Sequence, residues 1–218
     1  MGLETTGNQE TSTKSRIFHA AVDLFLNKGF YETSVRELAK ASGIQVASLY
    51  NHYPGKEAIL ADILHYFKKN VEEAMIPDEK MEEFVSSLKP EILLTRGFAK
   101  IIQSITPSVM DKIYQIILIE VFRNGKVRDF YNQYSEQNRE AVKKLFVLMQ
   151  EKNLVRKFDP EFLADSYLAM INYYQNRLFL YKADHTDTDL LEKDFGEKLM
   201  QFVHLFVLKS EENSDSNQ

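Results

Sequence analysis

Between Thr33 and Lys56 the chain gathers side chains suited to recognition by hydrogen bonding rather than to bond-making chemistry. Gln45, Ala47, Ser48, Asn51 and His52 are small or short and polar, and Val46 and Tyr53 stand among them. Carried on one helix, these side chains are small enough to enter a major groove and hydrogen-bond base edges. Thr33, Ser34, Arg36, Tyr50 and Lys56 surround them with donors suited to phosphate oxygens. Chemistry of other kinds finds no comparable set. The chain has no Cys, and it contains no Gly-rich phosphate loop. His19, His52, His65, His185 and His204 show no metal-ligand spacing. No catalytic residue, metal or cofactor is therefore expected, and the protein does not read as an enzyme.

The elements that must position this set follow from local signals. Ser34 can cap a helix with Glu37 closing a capping box, and Val35, Leu38 and Ala39 give that helix an apolar face. Gly43 is placed to take a positive φ where the helix ends. Val46 to His52 is too short to persist alone as a helix and must be held by packing, with Leu49 and Tyr53 facing one neighbour. Ala39 lets the two helices approach, and Ile44 and Leu49 plug the angle between them. Two short helices joined by a Gly-containing turn make a helix-turn-helix pattern.

Further residues in register strengthen this reading. Ile17, Ala21, Leu24-Phe25 and Gly29-Phe30 precede the pattern, and Thr33-Ser34-Val35-Arg36-Glu37-Leu38-Ala39 opens it. Ser42-Gly43-Ile44, Ser48-Leu49-Tyr50, His52-Tyr53, Lys56-Glu57 and Ile59-Leu60 complete it. From about Arg16 to Leu60 the chain resembles the DNA-binding domain of the tetracycline-repressor (TetR/AcrR) family of bacterial transcription regulators. It departs from the family pattern at Gln45 (usually Ser), Ala47 (often Gly), Tyr53 (more often Phe) and Pro54-Gly55 (usually a polar pair). Losing the Ser removes a cap from the second helix and leaves Gln45 free to read a base. The resemblance implies an all-α fold. In it, an N-terminal three-helix DNA-binding domain precedes a larger helical domain for ligand binding and dimerisation, with about nine helices in all.

Composition agrees with a globular protein: 218 residues, 44% hydrophobic and 12% aromatic, with a net charge of −5. An acidic total argues weakly against a nucleic-acid partner, so the distribution decides. Lys14, Arg16, Lys28, Arg36, Lys40 and Lys56 outnumber Asp23, Glu32 and Glu37, so the basic part of the chain coincides with the motif. No signal-peptide pattern opens the chain, and the longest apolar run, Ile113 to Phe122, is interrupted by Gln115 and Glu120 and too short to span a bilayer. A cytoplasmic protein without a membrane partner is expected.

The expected organisation is a disordered tail over 1–12, the helix-turn-helix domain over 13–55, an effector-binding and dimerisation domain over 56–208 and a flexible tail over 209–218. Helices are predicted over Thr13 to Lys28, with Gly29 ending the first, and over Lys56 to about Met75, the bridge between the domains. Beyond Pro77 they are predicted over Glu79 to Leu88, Glu91 to Ser104, Pro107 to Arg123, Lys126 to Lys152, Pro160 to Tyr181 and Thr188 to Val207. Thr106-Pro107 and Asp159-Pro160 read as N-caps followed by N1 prolines.

In the C-terminal part, aromatics at helical spacing are mostly core or interface, but an apolar pocket between helices is the usual small-ligand site. Its candidate residues are Phe98, Tyr114, Phe122, Tyr134, Tyr167, Asn172 and Asn176, with Gln175 a further polar residue to follow. The stripes Leu163, Ile171, Tyr174 and Leu191, Phe195, Leu199, Phe202, Phe206 are broad enough for a four-helix interface between two chains, which the resemblance also implies. The partners expected are thus a double-stranded DNA operator, a small-molecule effector and a second copy in a homodimer. A helical interaction protein, or a regulator with a vestigial pocket, is the alternative.

Overall fold

The computed structural model describes residues 12–95 and 108–207, and these are helical with no strand. The sequence-based expectations for the tails, Phe98, the distal part of the helix at 91–104 and the Thr106-Pro107 cap lie outside them. So does the expected role of the Phe206 side chain. Ser12, assigned above to the tail, is instead the N-cap of the first helix, its hydroxyl accepting from the Ser15 amide. The helices are α1 (Thr13–Lys28), α2 (Val35–Ala41), α3 (Val46–Tyr50), α4 (Lys56–Ala74), α5 (Asp78–Ser87), α6 (residues 90–95), α7 (Ser108–Glu120), α8 (Gly125–Glu151), α9 (Pro160–Ala183) and α10 (Asp189–Phe202). A π turn, Val203–Val207, follows α10.

The chain forms two compact units. The first takes the described residues up to Lys69 together with Ser108–Arg128. Ile17, Ala21 and Phe25 of α1, Leu38 and Leu49 of the motif, Ile59, Ile63 and Phe67 of α4, and Ile113, Ile116 and Ile117 of α7 are all buried there. α7 packs along α1, so a helix encoded far downstream is part of the N-terminal unit. Tyr114, a pocket candidate, belongs to this core, its ring stacked 6.0 Å from that of Phe67.

The second unit comprises the described residues from Asn70 to 95 and from Asp129 onward. Its core joins Met81 and Val85 of α5, Leu93 and Leu94 of α6, Phe146 and Met149 of α8, Leu163, Tyr167 and Ile171 of α9, and Leu199 and Phe202 of α10. Asp159 caps α9 by accepting from the Glu161 amide, with Pro160 in the first turn as the sequence implies. Arg156 donates to the His204 and Leu205 carbonyls, which meets part of the need for partners at the helical end. On the α8–α9 surface Arg139 pairs with Asp165 and Lys143 with Glu161.

Candidate nucleic-acid interface

α2 begins where a capping box closes: Ser34 Oγ accepts from the Glu37 amide while the Glu37 carboxylate accepts from the Ser34 amide. Lys28 adds an ion pair to the same carboxylate. That hydrogen bond, and then those from Ser34, pull the Glu37 pKa down to about 2. The Ser34 hydroxyl also donates to Glu37, so this expected phosphate donor is occupied inside the box. α2 ends at Ser42, whose hydroxyl donates to the Leu38 carbonyl. Gly43 turns the chain at φ +66°, a conformation side chains strain to adopt.

α3 is anchored by Leu49, which is fully buried. Opposite it Gln45, Ala47, Tyr50, Asn51 and His52 are exposed, and Val46 and Ser48 are half-buried. Tyr50 is 52% exposed despite its aromatic ring, which is a costly arrangement for a surface with nothing to meet. Gln45 makes no side-chain cap bond at the start of α3, so its amide is not spent on the helix. Arg36 on α2 is exposed beside this face, and Arg16 and Lys40 are exposed at α1 and α2.

Three of the residues expected at the DNA surface turn inward. Thr33 is 1% exposed and its hydroxyl donates to the Gly29 carbonyl, fixing the α1–α2 loop. Tyr53 is buried and donates to Asp62 at 2.5 Å, with Lys14 completing the cluster. Burial, then the Asp62 carboxylate, pushes the Tyr53 pKa up. Burial acts to raise Asp62, but bonds from Tyr53 and Lys14 hold its carboxyl below the usual range. Lys56 points its ammonium at the carbonyls of Phe30, Tyr31 and Thr33, at 2.9, 3.1 and 3.0 Å. An ammonium has three protons, and all three are engaged. Lys56 therefore organises the loop that feeds α2 instead of offering a charge to phosphate.

The remaining geometry is an exposed short helix held by packing, flanked by cations. The residues 17–63 match the model for bacterial regulatory proteins of the tetR family. That match covers the helix-turn-helix region, and over it the chain is similar to the tetR family. The chain is similar to a probable HTH-type transcriptional regulator, YttP, of Bacillus subtilis (strain 168), with 40% identity over 58 residues, 27% of this chain and 28% of YttP. It is similar also to the HTH-type transcriptional repressor KstR2 of Mycolicibacterium smegmatis, with 32% identity over 62 residues, 28% of this chain and 30% of KstR2. Matches to these curated relatives thus span under a third of their length. The fold is similar over nearly its whole extent to that of AibR crystallised with isovaleryl coenzyme A and operator DNA. The TM-score is 0.58 and the identity 20%, with 89% of this chain and 98% of that one covered.

The C-terminal candidates fare differently. Phe122 is 85% exposed, and Tyr114 belongs to the first unit's core. Asn172 and Asn176 share an exposed face of α9. Tyr167 is core, its hydroxyl donating to the Leu94 carbonyl. Tyr134 is half-buried and stacked on Phe130. Gln175 is the buried amide of the group, and its Nε2 has no partner among the described residues. Of the expected interface residues, Leu163, Ile171, Tyr174, Leu191, Leu199 and Phe202 are buried within one chain, and Phe195 packs against the same core. Among the described residues no group of His, Asp and Glu could hold a metal ion, and no helix is long and apolar enough to cross a membrane.

Proposed function

We propose that the protein is a DNA-binding transcriptional regulator, acting as a repressor on a palindromic operator and released by a small, largely apolar ligand. The observation that carries this reading is α3, which buries Leu49 and exposes Gln45, Ala47, Tyr50, Asn51 and His52. A helix too short to stand alone, anchored through one side and presenting small and polar groups on the other, suits the major groove. Arg36 supplies a flanking phosphate contact. The reading head lies within residues 13–55, which share the first unit with the start of α4 and with α7, and the effector and dimerisation part falls to the remainder of 56–208. The repressor sign draws on KstR2, and the pairing of ligand with operator on AibR.

As a two-fold dimer the protein presents its two α3 helices to half-sites about 34–36 Å apart or a multiple of that. The apolar side chains left exposed on α9 and at the start of α10, Tyr173, Leu180 and Leu190, support an association there. A ligand that prefers a second arrangement of the two heads weakens operator binding by its differential affinity, and a coupling of about 3 kcal/mol gives about 150-fold. The Gln175 Nε2, without a partner among the described residues, supports a polar contact for such a ligand. A ligand-independent regulator is the second reading, favoured by the exposure of Asn172 and Asn176.

The test is a mobility shift on DNA flanking the protein's own coding region, against an unrelated duplex, over a salt series. A complex specific to the flanking DNA, with a two-half-site footprint, is expected. Equal binding to both duplexes that vanishes steeply with salt would leave only a basic patch.

A further inference from the structure

The loop between α1 and α2 receives a hydrogen bond that local sequence does not supply. Glu120, the last residue of α7, is 1% exposed, and its Oε1 accepts from the Phe30 amide at 2.9 Å. Its Oε2 is buried with no partner among the described residues. A carboxylate taken out of water with half its acceptors unused is costly, so its retention calls for a task that an apolar residue cannot do. The surroundings indicate the task. The same Phe30 residue offers its carbonyl to the Lys56 ammonium, so its backbone is held by an anion through N–H and by a cation through C=O. Gly29 lies against the carboxylate at φ +91°, where a Cβ would come 3.6 Å from Oε1. Two further ties run from α7 and the turn after it to the same part of the unit. Tyr31 donates its hydroxyl to the Arg123 carbonyl at 3.2 Å, and Lys112 pairs with Asp23 of α1 at 2.6 Å.

We infer that Glu120 is a positioning residue for DNA recognition. By holding the Phe30 amide it fixes the loop from which α2 departs, and so the aim of α3. The inference rests on the DNA-binding function proposed above. The chain of effect is short. Phe30 is followed by Thr33, whose hydroxyl closes the loop on Gly29, and then by Ser34, which caps α2. α2 packs on α3, so a loop that wanders carries the reading helix with it. Glu120 touches no solvent and cannot touch DNA, so its removal alters aim and leaves the phosphate-binding charges in place.

The experiment compares the full-length wild type with Glu120→Gln and Glu120→Leu. The Gln variant keeps an acceptor without the charge, and charge-assisted bonds are about twice as strong as neutral ones. Amide exchange at Phe30 should quicken roughly tenfold in Gln and further in Leu. Affinity for the flanking duplex should fall in the same order, while affinity for the unrelated duplex and its salt dependence stay at the wild-type values. A merely structural residue would lower both affinities together or neither. Wild-type exchange at Phe30 in the Gln variant would overturn the assignment of the bond. Faster exchange with an unchanged ratio between the two duplexes would overturn the positioning role. Should Leu fail to fold, the Gln variant decides. A wild type that binds neither duplex would sink the DNA-binding proposal and with it the positioning role, while exchange still reports whether Glu120 holds the loop.

Discussion

Replacing Lys56 by Met separates two roles that look alike in the sequence. The substitution keeps an aliphatic stem and removes the ammonium, with its bonds to the Phe30, Tyr31 and Thr33 carbonyls and its position 4.7 Å over the Phe30 ring. The bonds to Phe30 and Thr33 are partly buried and the one to Tyr31 is exposed. Fully buried charged bonds contribute about 1.5–3 kcal/mol each. Water can replace part of each here, so about 1 kcal/mol for each inner bond and little for the outer one is reasonable. The cation over the ring adds about 0.5–1 kcal/mol. The sum is about 2–3 kcal/mol, or a thermal midpoint lowered by roughly 5–10 °C in a chain of this size. Thermal unfolding followed by circular dichroism measures this. The companion assay is DNA affinity against salt, where each neutralised phosphate contributes about 0.9 to the logarithmic slope. The Met variant should keep the wild-type slope. A midpoint within a degree of wild type, together with a slope shallower by about one, would show that Lys56 grips phosphate and would refute the internal role.

Arg36→Ala should leave the thermal midpoint within a degree of wild type while weakening DNA binding about tenfold, read by mobility shift; lost stability would make Arg36 a structural residue. Tyr174, buried and donating to Asp194, should titrate at about 12 by ultraviolet difference absorption, burial being the larger cause and the carboxylate the next. Its folded pKa exceeds the ordinary 10, so its contribution is intact below pH 10 and is lost as the pH rises towards 12; a normal phenol titration would contradict this environment. Gln175→Leu removes a buried Nε2 that has no partner among the described residues and should hold or raise the melting temperature; a fall of several degrees would reveal a partner for that amide.

The reading head was largely legible because its determinants are local. The capping box of Ser34 and Glu37, the positive φ of Gly43 and the burial of Leu49 each depend on residues within a few positions. Direction was harder to read. Thr33, Tyr53 and Lys56 carry donors whether they face phosphate or their own chain, and their composition is identical in both cases. The acceptors for Lys56 lie on the loop at 30–33, beyond the reach of helical spacing. Glu120 was visible only as an interruption of the apolar run from Ile113 to Phe122, because its partner is 90 residues upstream.

α9 shows why periodicity located the helix and missed its partners. Its buried apolar set Leu163, Tyr167, Ile171 and Tyr174 repeats at three or four residues, yet Phe162, Tyr173 and Leu180 lie exposed on the same helix. A helix apolar on more than one side does not say which stripe a single chain consumes. Here the stripe assigned to a dimer is taken by the chain's own core, where Tyr167 meets Phe146 and Phe202. An interface built on Leu163 or Phe202 would have to open that core, exposing side chains whose burial is worth about 1.5–3 kcal/mol each. Association through the residues already exposed carries no such cost. A dimer of this chain should therefore lose affinity on substitution of Tyr173 or Leu180, while the same changes at Leu163 should unfold the protomer first.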